Sequence, residues 1–473
     1  MPRDFAGITV LPEYIQNEGI ERLLDNLVHK AGVNAVATSP YVMEPADEAT
    51  GSREPPADAG AGSVRLLDRP LWGKRELFVR TAPSFEPNAR FYAGLRYQPA
   101  KTTELTRKQG PLLKAFIRAA QARHVKVFLQ VQAAIPPGYR VQFGGPQQDD
   151  RPLLPDGRVA PRRLANNGSL ASPHITGYTN ALLRDIIAAY PDIDGIRVDW
   201  PEYPPYFLDD CFFDFSAHAE AAALRLGFDF DRMRRAAADL YQKLHGGLKD
   251  EDLTMWGEAD GGRHRLLRLL TDRPALLDWL RFKATLVDEL LAGFRKTMDD
   301  AGAKRMALMP NAFPPPWTLA SGMDFQRAGR HATALSVKLY TMHWPVMLRF
   351  YGDAIARANP ELSTQLLTRA LVSWLDIADD GGFADLRDYR YPEPDEAHPV
   401  GLRAQARKIL EAQREAGSTP VLALAHGYGP LDDFRRRFEV AWRASQHGAW
   451  VNRYGYLSDA KLQAIGEVVR MRP

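Results

Sequence analysis

The stretch Asp194-Gly-Ile-Arg-Val-Asp-Trp200 sets an arginine and an aspartate, Arg197 and Asp199, two residues apart in a strand-forming run. Side chains alternate faces along a strand, so Ile196 and Val198 share one side while Gly195, Arg197 and Asp199 share the other. With the apolar side turned to covering helices, Arg197 and Asp199 point inward. Either charge alone would be costly there, and paired they are tolerable. The cation favours the ionised carboxylate. A carboxylate held anionic at the C-terminal end of a strand suits a nucleophile or a stabiliser of a developing cation. The plainer reading is a structural ion pair that locks the core.

A second inward charge is Lys338. Leu335, Val337 and Leu339 form an apolar face, so Ser336, Lys338 and Tyr340 form the opposite one. The preferred role for Lys338 is partner to Asp199 or another interior carboxylate. The alternative is an amine placed for Schiff-base chemistry, a position similar to that of class I aldolase barrels. The histidines are scattered, with no His-x-His or His-Glu-x-x-His spacing. A metal site from His174, His343 and His426 would need convergence in space. No Gly-x-Ser-x-Gly elbow and no phosphate loop occur. The Asn167-Gly-Ser169 triplet reads as a turn rather than a glycosylation acceptor.

The elements that must position these residues alternate. Strand patterns fall at 5–11, 34–40, 125–132, 194–200, 304–310, 334–341, 420–426 and 449–454. Helical periods fall at 18–31, 108–123, 176–190, 277–301, 345–375, 431–447 and 458–470. Such alternation points to βαβ units and a parallel sheet. Eight strands with a helix after the last predict an α/β protein, a closed (β/α)8 TIM barrel. An open doubly wound sheet is disfavoured because no Gly-x-Gly-x-x-Gly follows the first strand. The chain has 473 residues, about 220 more than a plain barrel needs. Long connections at 42–104, 133–173, 201–276 and 376–400 absorb most of that surplus, which predicts one barrel domain with insertions at the C-terminal face of its strands. Within the third, 208–247 reads as helical and 253–258 as a short extended run.

Composition narrows the partners. The 61 basic and 58 acidic residues nearly balance, and the densest basic run, Arg435-Arg436-Arg437, is flanked by acids, so it reads as a solvated helix face rather than a phosphate-binding stripe. No nucleic-acid partner is expected. The single cysteine, Cys211, excludes an intrachain disulfide and a cysteine-based zinc site. No apolar run approaches a membrane span. Asp4 and Glu13 interrupt any signal-peptide core, so the expected location is cytoplasmic.

The run Asp194 to Trp200 resembles the fourth-strand motif of α-amylase-type glycoside hydrolases, in which an Arg two residues before an Asp accompanies the nucleophile. The wider stretch Tyr190–Ser216 is similar to uncharacterised bacterial barrel proteins grouped with glycoside hydrolases, and Ala449–Ser458 resembles the closing strand of such barrels. The chain departs from the amylase pattern at its third strand, where Val127-Phe-Leu-Gln-Val-Gln132 replaces an Asp and Asn-His motif. The resemblance implies a glycosidase acting on an oligo- or polysaccharide with two carboxyl groups and no metal or organic cofactor, the rival reading being a carbohydrate-binding barrel without turnover. Asp199 is the expected nucleophile or oxocarbenium stabiliser, held anionic and oriented by Arg197, which also belongs to the expected substrate-binding set, and retention of configuration is the expected outcome. Glu258, beside Trp256 and Gly257, is the favoured general acid/base and Glu202 its rival. Glu13 and Glu44 are further options. Asn311, Tyr340, His343, His426, Arg453 and Tyr454, with the aromatic faces of Trp200, Tyr203, Tyr206 and Trp317, form the expected sugar-binding set, because rings pack on apolar sugar faces while polar groups hold hydroxyls.

Overall fold

The protein is represented by a computed structural model that describes residues 5–54, 77–140, 143–257 and 259–471. Eight strands, β1 (Phe5–Thr9), β2 (Ala35–Thr38), β3 (Lys126–Gln132), β4 (Gly195–Asp199), β5 (Ala307–Ala312), β6 (Leu335–Leu339), β7 (Val421–His426) and β8 (Gly448–Asn452), pair in parallel and close into a barrel. Each expected strand is present. The closing pair is β1 with β8, in register Phe5 to Gly448 and Gly7 to Trp450.

Period-two alternation divides the apolar residues into two cores. Ile8, Val36, Val127, Leu129, Ile196, Val198 and Val337 face the surrounding helices. Phe5, Phe128, Met309, Leu422, Leu424 and Trp450 fill the barrel interior. The Trp450 ring meets Phe5 and Phe128 edge-on at 5.1 and 5.4 Å between centroids. Gly7 makes room for this cluster: a Cβ there would lie 2.3 Å from the Trp450 ring.

The connections after β2, β3, β4 and β6 carry the extra length. The first holds an antiparallel sheet of strands Tyr41–Ala46, Leu77–Pro83 and Ser52–Glu54, in that spatial order, where the sequence offered no strand pattern. The third is helical at Ala217–Leu226 and Phe230–Leu244, as expected. The extended run expected at 253–258 is instead helical from Asp250 to Gly257, a segment that opens with three acidic residues suited to a helix N-terminus. The helix expected at 345–375 divides into His343–Ala358 and Thr364–Leu375. Pro360 bars Asn359 from helical backbone, and Asn359 turns at ψ 74°. Helix Leu402–Ala416 was not anticipated. Its buried face carries Gln405 and Lys408 among alanines, which blurs the apolar stripe. Among the described residues, no helix is long and apolar enough to cross a membrane.

Candidate active site

Asp199 ends β4, and its carboxylate stands at the C-terminal mouth of the barrel with 14% of the side chain exposed. Its ion-pair partner is Lys338, whose Nζ lies 2.7 Å from Oδ1. Register explains the meeting. Asp199 pairs with Asn311 on β5, Asn311 with Ser336 on β6, and Lys338 stands one inward position beyond Ser336. The same ammonium lies 5.0 Å from the Phe313 ring centroid and 5.3 Å from that of Trp200, within cation–π range.

Arg197 does not hold Asp199 directly, contrary to the expectation from spacing. It sits one layer deeper, fully buried, with its guanidinium 4.1 Å from the Trp450 ring centroid. Its Nη2 donates to Asn311 Oδ1 at 2.7 Å, and Asn311 Nδ2 donates to Gln130 Oε1 at 3.3 Å. Burial brings Arg197 down to about 10, against the opposing influence of Tyr340 and Asp199. Two inward side chains on one strand lie nearly two residue rises apart, so β4 gives its arginine to the floor and its aspartate to the mouth.

Glu202 is fully buried. Its Oε1 accepts from the Phe313 amide at 2.7 Å and its Oε2 from the Ser321 hydroxyl at 2.6 Å. These bonds tie the loop after β4 to the loop after β5. Burial pushes Glu202 up to about 7, outweighing the Lys338 charge and both hydrogen bonds, with Asp199 adding to the rise. Glu258 lies outside the described residues. Glu13 is buried, with Oε1 3.8 Å from Arg140 Nη1. Glu44 is half-buried and pairs with Arg80 at 3.0 Å on the antiparallel sheet.

Trp200 follows Asp199 with φ at +50°, a left-handed conformation that a bulky residue adopts only when its surroundings enforce it. Its ring meets Tyr206 edge-on at 6.1 Å, and Tyr206 in turn meets Phe313 and His343. Tyr340 packs against His343 at 5.3 Å and His426 at 5.0 Å. The cluster runs on through Tyr391, Tyr428 and Tyr456, with the Arg453 guanidinium 5.7 Å from the Tyr456 ring centroid. His426 Nδ1 accepts from the Tyr428 amide at 3.1 Å, and burial, then the nearby His343 and Arg453, keeps His426 well below the usual imidazole range. His426 and the tyrosines therefore line this side of the mouth.

Three expected sugar contacts are structural instead. Tyr203 is buried, donating to Asp214 Oδ2 at 2.9 Å and accepting from the Leu170 amide at 3.1 Å. Trp317 is buried between Trp344 and the Lys408 ammonium on a short helix after β5. Tyr454 is buried against Tyr14, with its hydroxyl bonded to Asn26 and Glu18 at 2.8 Å each. Arg437 is another departure. It is buried, not solvated, and donates to the His426 and Tyr428 carbonyls while pairing with Asp433 at 2.6 Å. The sequence reading missed Gln130, Phe313, Tyr391 and Trp450. Strand alternation marks Trp450 as inward, but Tyr391 comes from an irregular loop with no local signal.

No family model matches the chain, and no curated protein matches it. Solved structures do. The chain is similar to the glycoside hydrolase domain of PgaB (BpsB) from Bordetella bronchiseptica, at 12% identity over 99% of both chains with a TM-score of 0.53. It is also similar to the catalytic domain of beta-amylase from Paenibacillus polymyxa, at 10% identity over 98% of this chain and 95% of that one, with a TM-score of 0.50. The chain shares with these two glycoside hydrolase domains the fold of a closed (β/α)8 barrel.

Proposed function

We propose that this protein hydrolyses glycosidic bonds in an oligo- or polysaccharide, with Asp199 as the reacting carboxylate. The observation that carries the reading is the placement of Asp199. It is a partly exposed carboxylate at the barrel mouth, clamped by Lys338 and followed by a strained tryptophan, and active sites of such barrels lie at that face. Asp199 attacks the anomeric carbon, and the leaving oxygen takes a proton from a second carboxyl group. Water then gives its proton back to that group as it displaces Asp199, with net retention. Trp200 and Tyr340 supply faces for the sugar ring and Arg453 a polar contact, while the buried Tyr206, His343 and His426 back them.

Glu258 is the proposed proton donor. Glu202 is occluded and both its oxygens are engaged, which suits a positioning residue beneath the mouth better than a group that must reach a glycosidic oxygen. Turnover of a panel of aryl glycosides and oligosaccharides tests both assignments. Asp199→Ala is expected to lose at least about 1,000-fold in kcat on the best substrate. Glu258→Gln is expected to lose far more on substrates with poor leaving groups than on activated ones. That pattern in Glu202→Gln instead would move the acid role to Glu202. Wild-type turnover by Asp199→Ala would end the proposal. Borohydride trapping of a carbonyl substrate on Lys338 would replace it with Schiff-base chemistry.

A further inference from the structure

Asp150, His174 and His218 come together outside the barrel mouth, although no sequence spacing links them. One potential ligand atom from each lies within 4.8 Å of the other two, and among the described residues no other three His, Cys, Asp or Glu side chains do so. Asp150 is fully buried, and its two oxygens have different surroundings. Oδ2 accepts from the Tyr97 hydroxyl at 2.7 Å and from Arg96 Nη1 at 2.9 Å. Oδ1 accepts from the Ser172 hydroxyl at 2.5 Å and lies 3.1 Å from His218 Nε2. Burial works to raise the Asp150 pKa, but the bonds from Ser172, Tyr97 and Arg96 outweigh it and leave the group below the usual carboxylate range. The rings of His174 and His218 meet edge to face at 5.7 Å.

We propose that Asp150, His174 and His218 bind a divalent transition-metal ion, with Zn2+ the best match to two imidazoles and one carboxylate. Zinc bonds of ~2.0 Å in tetrahedral array put neighbouring ligand atoms about 3.3 Å apart, close to the 3.1 Å between Asp150 Oδ1 and His218 Nε2. Tyr97 and Arg96 fix the carboxylate through its other oxygen, the kind of outer support that metal-ligating carboxylates have. His174 and His218 come from the first turns of helices Pro173–Ala189 and Ala217–Leu226, capped by Ser172 and Ser216. The charge of Asp150 offsets the positive ends of both helices. Three protein ligands leave a fourth position for water. His218 and Pro173 also line a cavity of about 500 Å³. The ion would join the connection after β3, which supplies Asp150, to the one after β4, which supplies His218. Its role is to brace these connections, and it does not depend on the glycosidase reading.

The test uses the untagged full chain, freed of metal with a chelator. Zn2+ is titrated by calorimetry with elemental analysis, and Co2+ replaces Zn2+ for visible spectroscopy. The expected result is one tightly held ion per chain and the intense visible bands of four-coordinate Co2+. The double variant His174→Ala/His218→Ala is expected to lose that equivalent, and Tyr97→Phe to bind about 10-fold more weakly. The proposal is overturned if the wild-type chain takes up no stoichiometric ion, if its Co2+ spectrum is that of a six-coordinate hydrated ion, or if the double variant binds equally tightly. Should the double variant fail to fold, the wild-type stoichiometry and Co2+ spectrum decide alone.

Discussion

Asp199 and Lys338 illustrate how unequal the two halves of an ion pair become once buried. Lys338 is almost fully enclosed, and removing it leaves a largely desolvated carboxylate without its ion-pair partner. Lys338→Met is therefore expected to destabilise the fold by about 3–5 kcal/mol in chemical denaturation, and adding Asp199→Asn to restore most of that loss. Glu202 has a separate signature. Its proton leaves near 4.5 in the unfolded chain and near 7 in the folded one. Between those values the native state holds more protons, so stability falls as pH rises through the window. Glu202→Gln is expected to flatten this fall by about 3 kcal/mol, read from denaturation midpoints at pH 4.5 and 7.5. The sequence made the inward direction of Arg197, Asp199 and Lys338 legible, because alternation depends on strand period alone. It offered both Arg197 and Lys338 as partners for Asp199, and the choice of Lys338 depends on register between strands more than 100 residues apart.

At the scale of elements, β4 and its neighbours show why the barrel was readable and its surroundings were not. A strand buried on both faces needs β-branched and apolar residues, and all eight runs carry that mark. Helix Leu402–Ala416 escaped because Lys408 and Gln405 occupy its buried side, where Lys408 donates to the Pro315 and Leu375 carbonyls at 2.8 Å each. Its polar atoms are satisfied by distant backbone, which no local pattern announces. The antiparallel sheet escaped because Pro45 and Pro83 break the strand pattern and residues 55–76 separate Ser52–Glu54 from its partner Leu77–Pro83. Strand β1 carries a sharper constraint. Gly7 faces Trp450, which supports Arg197. Gly7→Ala is expected to cost about 1–3 kcal/mol by overpacking, with quenched or shifted tryptophan fluorescence as the accompanying readout.

At the scale of the whole molecule, the long connections brace one another above the strands. Helix Thr364–Leu375 packs on Asp250–Gly257, and Asp250 Oδ1 accepts from the Ser363 amide at 2.8 Å. Asn359 adds a bond to the Leu248 amide at 3.0 Å. Bracing of this kind makes the rim sensitive to any ion that joins two connections. If Asp150, His174 and His218 bind Zn2+ in the native state alone, the ion at 100 times its Kd should stabilise the fold by about 2.7 kcal/mol, visible as a raised thermal midpoint that chelator reverses. The interior packing has a consequence for traffic. Phe5, Phe128, Leu422, Leu424 and Trp450 stopper the barrel beneath Arg197, so the barrel opens beside Asp199 at one end only. A polymer cannot be threaded through it, and whatever enters past Asp199 must back out the way it came.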